Sequence, residues 1–514
     1  MKLLVLALPF LTRVSALTLP HTDSGWSQLR VGPLTSEHRT SPPHEWRLNS
    51  VWKTIAGAFG WTELDVFDVF EGVTKDDRPL KTIWEIISES KDFTKLTKLI
   101  KLDDEFRKKL DESHHLGWTF FAPDNRAFPS RPHHDDPDKD NILSSRENAL
   151  AYLLQRVESL ERSGGGDDDD HDDDDDKKHK WKIIKEIVRE VLRYHLLPYE
   201  LNYFHLGWNS SLATDLVTPE GSFDHQPQRV KLEKSLVPPS LTLNKYARIK
   251  RGDVWASNGV IHVIDHPLFP PFGVLDQAFL VPQYFSTLTS AIQKVGLEDA
   301  VNWWYEHDKD DDKDKDKIKV RRFGGDGDGD NDHKHHGHFV GTPSVTLFAP
   351  TNDAWKALPQ KLVNYLFSPF GKRALTKLLR FHIIPDYIVY TEWVHDVRKK
   401  KDVLSLDDRE GNGDGVSTKG TELDFEFPFP TALKGAKLDV HIVKTLPNLP
   451  LPGGASFDIF VQGHRVEDND LPARNGVVHA LGVVLDPRPK KDRQEKGDKD
   501  WDNWEEWLPR WAEE

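Results

Sequence analysis

The sequence predicts an α+β chain built as two tandem copies of one unit. Three observations carry this. The stretch TFFAPDNRAF, Thr119 to Phe128, returns as TLFAPTNDAW, Thr346 to Trp355. Each half also places a histidine at the end of a helical stripe, in Tyr194-His195-Leu196-Leu197-Pro198 and Phe381-His382-Ile383-Ile384-Pro385. Finally, each half closes on an Asn-Gly pair followed by a histidine, Asn258-Gly259 with His262 and Asn475-Gly476 with His479. An internal duplication constrains the fold more than residue propensities do.

The first repeated stretch reads as a strand, a stop and a cap. Pro123 and Pro350 cannot donate to a sheet ladder, so the strand ends there. Asp124 and Thr351 then offer an oxygen to the first free N–H groups of a following helix. Asn-Gly between strand-like runs is a hairpin signal, because both residues tolerate positive φ. Counting back from it sets Asp253 opposite Asp470 and Ala256 opposite Ala473.

Taken in order, residues 1–16 read as a signal peptide, with Lys2, an apolar core from Leu3 to Leu11 and cleavage after Ala16. Residues 17–60 form a proline-broken arm. The first domain spans 61–272, with helical spacing through Ile83, Ile86, Ile87, Phe93, Leu96 and Leu99 before the anchor strand. A helix over about 148–160 and an acidic insertion at about 163–180 follow; a block of like charges buries no apolar area and is expected to be disordered. From Trp181 the residues Ile184, Ile187, Val188, Val191 and Leu192 form a helical stripe. Pro267, Pro270 and Pro271 make a short, stiff connection. The second domain, 273–488, repeats the order with a helix over 285–295, a second helix reaching Tyr305 and a disordered Asp/Lys/Gly/His insertion at about 308–340. Residues 489–514 are a charged tail. Its Trp501, Trp504, Trp507 and Trp511 share one helical face, for docking onto the second domain rather than for a membrane.

Composition excludes several classes. A net charge of −15 argues against a nucleic-acid partner. The chain has no cysteine, so thiol catalysis and Cys-ligated zinc are out. There is no apolar run long enough for a membrane span, and no lipid-anchor tail is expected. The spacings of a G-x-S-x-G elbow, an H-E-x-x-H pair or a phosphate loop are absent, so no catalytic residue and no cofactor is assigned. Asp326, Asp328, Asp330 and Asp332 alternate with Gly and Asn, but Asn331 and Gly337 stand where an EF-hand needs Gly and Glu. With His333, His335, His336 and His338 they could hold cations only loosely, and no metal site is assigned. Asn209-Ser210-Ser211 is a glycosylation sequon. Arg251-Gly252-Asp253 spells an integrin-recognition tripeptide, at a strand entry that lacks an exposed tip.

The FAP-x-N-x-A-aromatic anchor, the aromatic-His-aliphatic-aliphatic-Pro segment and the D-V/L-x-A-x-N-G-V-hydrophobic-H close together resemble the fasciclin I-type domain in tandem, over roughly residues 61 to 488. The resemblance implies a twisted β-wedge flanked by helices in each copy, and a secreted or cell-surface protein that binds a protein or polysaccharide of the surface, wall or matrix. The acidic composition and large insertions suit a fungal member. It also implies an adhesion role for Tyr194-His195, confined to the first copy because Phe381 lacks the hydroxyl. His195, His382, His262 and His479 are expected to support the fold through ring-nitrogen hydrogen bonds. The alternative is a secreted or vacuolar cation-binding or hydrolytic protein that uses the His/Asp insertions.

Overall fold

The computed structural model describes residues 81–112, 117–128, 154, 185–236, 239–307, 337–405, 417–419, 422–445, 455–488 and 499–514. The signal peptide, the arm, nearly all of the 148–160 helix, the acidic insertion and residues 308–336 lie outside them.

In the first copy, three short helices, Ile83–Glu89 (α1), Thr94–Ile100 (α2) and Asp104–Asp111 (α3), precede strand β1, Trp118–Pro123. Thr82 starts α1 with a capping box, its hydroxyl accepting from the Glu85 N–H while the Glu85 carboxylate takes the Thr82 N–H. Every residue of β1 is buried. Trp118, Phe120 and Ala122 face a core built on the helices, and Phe121 faces a second core inside the curved sheet. That two-sided burial is why the strand reads as a continuous apolar run rather than an alternating one. A helix over 185–194 (α4) delivers β2, Leu196–Leu197, to one edge of β1, and β7, Gly259–Ile264, runs parallel to its other edge. The seven strands follow the order β2-β1-β7-β6-β5-β4-β3, where β3 is Ser211–Val217, β4 Pro227–Leu236, β5 Pro239–Leu243 and β6 Ala247–Ala256.

The second copy repeats this plan. Helices Val274–Leu280 (α5) and Pro282–Val295 (α6) precede β10, Val345–Pro350, which is antiparallel to β11, Ile383–Pro385, and parallel to β20, Gly476–Leu481. Its large sheet runs β11-β10-β20-β19-β18-β17-β16-β15, including β15 (Ser417–Lys419), β16 (Glu422–Pro430), β17 (Lys437–Thr445), β18 (Ser456–Val461) and β19 (His464–Ala473). A small sheet of β12 (Tyr387–Val389), β13 (Trp393–Asp396) and β14 (Lys401–Ser405) stands beside it. The architecture is thus α+β in two copies, each a curved sheet flanked by helices.

Four details differ from expectation. Thr351 caps a helix, Asn352–Ala357, but Asp124 closes only a turn, its carboxylate taking the N–H groups of Arg126 and Ala127. No second helix reaches Tyr305. A single 3-10 turn, Glu298–Ala300, gives way to strand β8, Trp303–His307, which pairs with β9, Gly337–Gly341. The second insertion therefore ends before 337 rather than at 340. The closing hairpin turns on Ser257-Asn258, not Asn258-Gly259, because Ala256 pairs with Gly259; the second copy turns likewise on Arg474-Asn475.

The tail packs on the second copy. Trp501 donates its indole N–H to the Val484 carbonyl at 3.0 Å, and helix Trp504–Glu513 lays Leu508 and Ala512 into the helix-side core. Lys377 closes the contact, with its ammonium over the Trp511 ring and a hydrogen bond to the Trp511 carbonyl. Pro509 does not end this helix. It lies inside the helix, in the second turn, where it takes one N–H donor out of the ladder and the packing of Leu508 and Ala512 holds the helix on.

Candidate functional site

The matched residues of the two copies form one polar network, made twice. Asn258 accepts the Ile83 N–H, 2.9 Å, at the start of α1 and donates to the carbonyls of Leu110 and Glu112. Asn475 accepts the Val274 N–H, 2.9 Å, at the start of α5 and donates to the carbonyls of Val301 and Thr342. Each asparagine thus ties the closing turn to the opening helix, satisfying an orphan helix N–H. Neither has positive φ, so the turn needs the carboxamide and not a left-handed backbone. The following glycines are needed for space. A Cβ on Gly259 would overlap the Trp118 backbone, and one on Gly476 the Val345 carbonyl oxygen.

The histidines fall into two matched pairs, all buried. His195 donates Nδ1–H to the Val191 carbonyl, 2.7 Å, and accepts the Leu268 N–H at Nε2, 2.8 Å. His382 does the same with Leu378 and Leu485. His262 and His479 use the opposite tautomer. They accept the N–H of Asp253 and Asp470 at Nδ1 and donate Nε2–H to the carbonyls of Leu201 and Val389. In all four one nitrogen is already an acceptor, leaving no place for a second proton. Burial pushes His195, His262 and His382 down to about 4, and His479 is lowered as well. Imidazoles so sealed cannot shuttle protons at neutral pH.

Two further matched sets were not singled out in the sequence. Thr119 and Thr346 each donate to one carbonyl and accept one N–H, from Tyr199 and Leu201 in the first copy and Tyr387 and Val389 in the second. Asn125 and Asn352, within the repeated anchor, take the N–H groups of Lys95 and Thr287. Their repetition inside the anchor was the available signal.

Tyr194 is fully buried, its hydroxyl donating to the Arg229 carbonyl at 2.9 Å and accepting from Asn244. With His195 also buried, the Tyr-His pair faces inward. The Arg251-Gly252-Asp253 tripeptide lies inside β6, not at its entry, where the register with β7 shifts between Arg251 and Val254. Asp253 has φ 54°, as does Asp470 in the matching bulge, and its carboxylate takes the Tyr203 N–H at 2.7 Å. Burial raises that carboxyl to about 6. Gly252 is closed off by the Tyr203 side chain. Asn209 is half-buried, with its amide on the His205 carbonyl, and both serines of its sequon are buried.

The two copies meet in a broad polar and aromatic junction. The buried Glu392 of the second copy accepts the N–H groups of Ser210 and Ser211. Arg474 reaches back to Glu190 and Glu220, while Lys231 pairs with Asp468. Between them Phe223, fully buried, sits among Ile388, Tyr390, Trp393 and Val477. The Arg229 guanidinium lies over the Tyr390 and Trp393 rings at 5.5 and 5.4 Å. Among the described residues no group of three or more His, Cys, Asp or Glu could hold a metal ion, and no helix is long and apolar enough to cross a membrane.

Comparison with known proteins agrees with this duplicated plan. The chain is 28% identical over 212 residues to stabilin-2 of Mus musculus, covering 39% of this chain and 6% of that protein. It is 25% identical over 240 residues to the transforming growth factor-beta-induced protein ig-h3 of Sus scrofa, 47% of this chain and 23% of the relative. With the aurofusarin biosynthesis cluster protein S of Gibberella zeae it shares 26% identity, over 30% of this chain and 35% of that one. The chain thus spans about a third or less of the length of these curated relatives. A solved FAS1 domain pair from the insect cell adhesion molecule Fasciclin I aligns with 77% of this chain and 98% of its own, at 15% identity and a TM-score of 0.26. A family model described as the fasciclin domain matches residues 173–270 and 283–487, more than half of the chain, and the chain belongs to the fasciclin domain family.

Proposed function

We propose that this is a non-enzymatic adhesion protein that enters the secretory route and binds a protein or polysaccharide of the cell surface, wall or matrix through its tandem domains. The observation that carries the reading is the sealing of the matched histidines. Both ring nitrogens of each are engaged inside the fold, so the residues that the two copies share serve the scaffold and leave recognition to surfaces that differ between them. The packed junction supports a unit that presents both copies in one fixed arrangement, which lowers the entropy cost of a contact spanning them. Binding through Tyr194 and His195 would require the first domain to open, since both are buried. A glycan on Asn209 would emerge beside the junction.

The test is retention of the full chain on immobilised cell-wall, matrix and membrane extracts, compared with a variant lacking 164–180 and 308–336. Adhesion by the folded domains survives the deletion. Binding that disappears with those segments and requires a divalent cation would instead favour the cation-binding alternative. Mass analysis before and after glycosidase treatment reads the state of Asn209, and N-terminal sequencing of secreted material reads cleavage after Ala16.

A further inference from the structure

We propose that the junction between the two copies carries a proton-held clasp, with His395 as the titrating group and Asp224 and Asp402 as its two jaws. His395 lies on β13 of the second copy and is only 3% exposed. Its Nε2 stands 2.8 Å from the Asp224 carboxylate of the first copy, and its Nδ1 stands 2.6 Å from Asp402 on β14. Unlike the four sealed histidines, it meets a carboxylate at each nitrogen and no N–H donor. Two carboxylates can both be satisfied only when both ring nitrogens carry protons, so the bridge across the junction is complete only in the imidazolium form.

The Asp224 jaw is held out at a conformational cost. Phe223, Asp224 and His225 have φ of 60, 51 and 56°, three consecutive non-glycine residues in the left-handed region. For an L residue this region is disfavoured against a right-handed backbone, because Cβ crowds the following carbonyl oxygen. The turn persists because Phe223 is buried in the second copy, its N–H donates to the Pro343 carbonyl at 2.8 Å, and Asp224 meets His395. Remove the second copy's grip and the strain favours release.

The charged groups around the ring are few. Asp224 and the exposed His225 come from the loop, Asp396 from β13 itself, Asp402 and Lys401 from β14, and Arg229 from β4, over the Trp393 ring on which His395 stacks at 5.4 Å. Lys401 is paired in register with Asp396. Burial alone lowers the His395 pKa, but the hydrogen bonds to Asp402 and Asp224 outweigh it, and the net direction is upward. A raised histidine contributes stability that is fully present below its ordinary value near 6.5 and is lost as pH rises through the folded value. The clasp therefore loosens on the alkaline side, the opposite direction to the sealed histidines.

The experiment is hydrogen exchange on the full chain, with rates corrected for the intrinsic effect of pH, read at the amides of residues 222–226 near pH 6 and pH 9. In the wild type, protection of this loop falls severalfold across that range, as the bridging proton is lost. In His395→Gln, which keeps one hydrogen bond but cannot carry the charge, protection is lower near pH 6 and nearly unchanged toward pH 9. Asp224→Asn behaves in the same way. A wild-type loop whose protection is independent of pH overturns the proposal, as does a pH dependence that persists undiminished in His395→Gln. Should either variant fail to fold, the wild-type series alone decides.

Discussion

The side-chain oxygen of Asn475 receives the backbone N–H of Val274, 201 residues earlier in the chain, at 2.9 Å. One carboxamide thus joins the last turn of the second copy to its first helix, and Asn258 does the same for Ile83. Asn475→Ala leaves that N–H and the carbonyls of Val301 and Thr342 without their partner in the interior, a loss of about 2–4 kcal/mol. Gly476→Ala, where the new methyl meets the Val345 carbonyl oxygen, is the more severe change. Denaturant titration of both variants checks the order. If Asn475→Ala unfolds with the wild-type midpoint, the carboxamide is not what holds the turn.

The sealed histidines set an acid limit. Each has a folded pKa below its unfolded value near 6.5, so the stability it contributes is whole above 6.5 and is lost as pH falls toward about 4. A shift of that size is on the order of 3 kcal/mol per histidine. Asp253 opposes this, since a carboxyl raised to about 6 favours the folded state at lower pH, but it is one group against four. The expected melting temperature is steady near neutrality and falls steeply between pH 6 and 4. His262→Gln, which keeps a hydrogen-bonding side chain, lowers the plateau and flattens the slope; an unchanged slope counts against the assignment.

Phe223→Ala removes the aromatic plug of the junction while touching neither domain's own core. A fully buried phenylalanine truncated in this way costs roughly 3–5 kcal/mol. Calorimetry of the full chain is expected to resolve two transitions where the wild type gives one. A single transition that moves as a whole would mean that the plug stabilises a domain and not the junction.

Trp501 anchors the tail against the second copy, with its indole N–H on Val484 and its ring stacked near Trp507 at 5.9 Å. Trp501→Ala, or removal of 499–514, uncovers apolar surface on the second copy only. A drop of several degrees in the melting temperature, with dye binding to the uncovered helices, is the expected result. Unchanged melting after removal of the tail would place the helix as a passenger.

Much of the scaffold could be read from residue order because it was written twice. The strand ended by Pro123 and Pro350, the aligned Asp253 and Asp470, and the histidine positions all occur at matching places, and repetition turns a weak pattern into a frame. The chemistry at those places was less legible. Asn258 suggested a left-handed turn, whereas its value lies in three hydrogen bonds to residues more than a hundred positions away, which local pattern does not encode. Trp303, Trp304 and Tyr305 read as the end of a helix, although adjacent aromatics favour a pleated strand and so signalled β8. The junction was invisible. Ser222-Phe223-Asp224-His225 is a lone aromatic among polar residues, and it becomes a plug only when another domain supplies the pocket.

In each copy the anchor strand lies parallel to the final strand, Trp118 opposite Gly259 and Val345 opposite Gly476. The parallel pair near one edge of each sheet therefore joins residues separated by well over a hundred positions, and this pairing closes only when both ends of the copy are present. High sequence separation of this kind slows folding, because the chain must close a large loop before any native contact rewards it. Closure entropy grows only with the logarithm of loop length, about 0.6 kcal/mol per doubling. Long segments between β1 and the 185–194 helix, or between β8 and β9, thus add little thermodynamic burden, and evolution could lengthen each copy at a different place without disturbing the pairing that defines it.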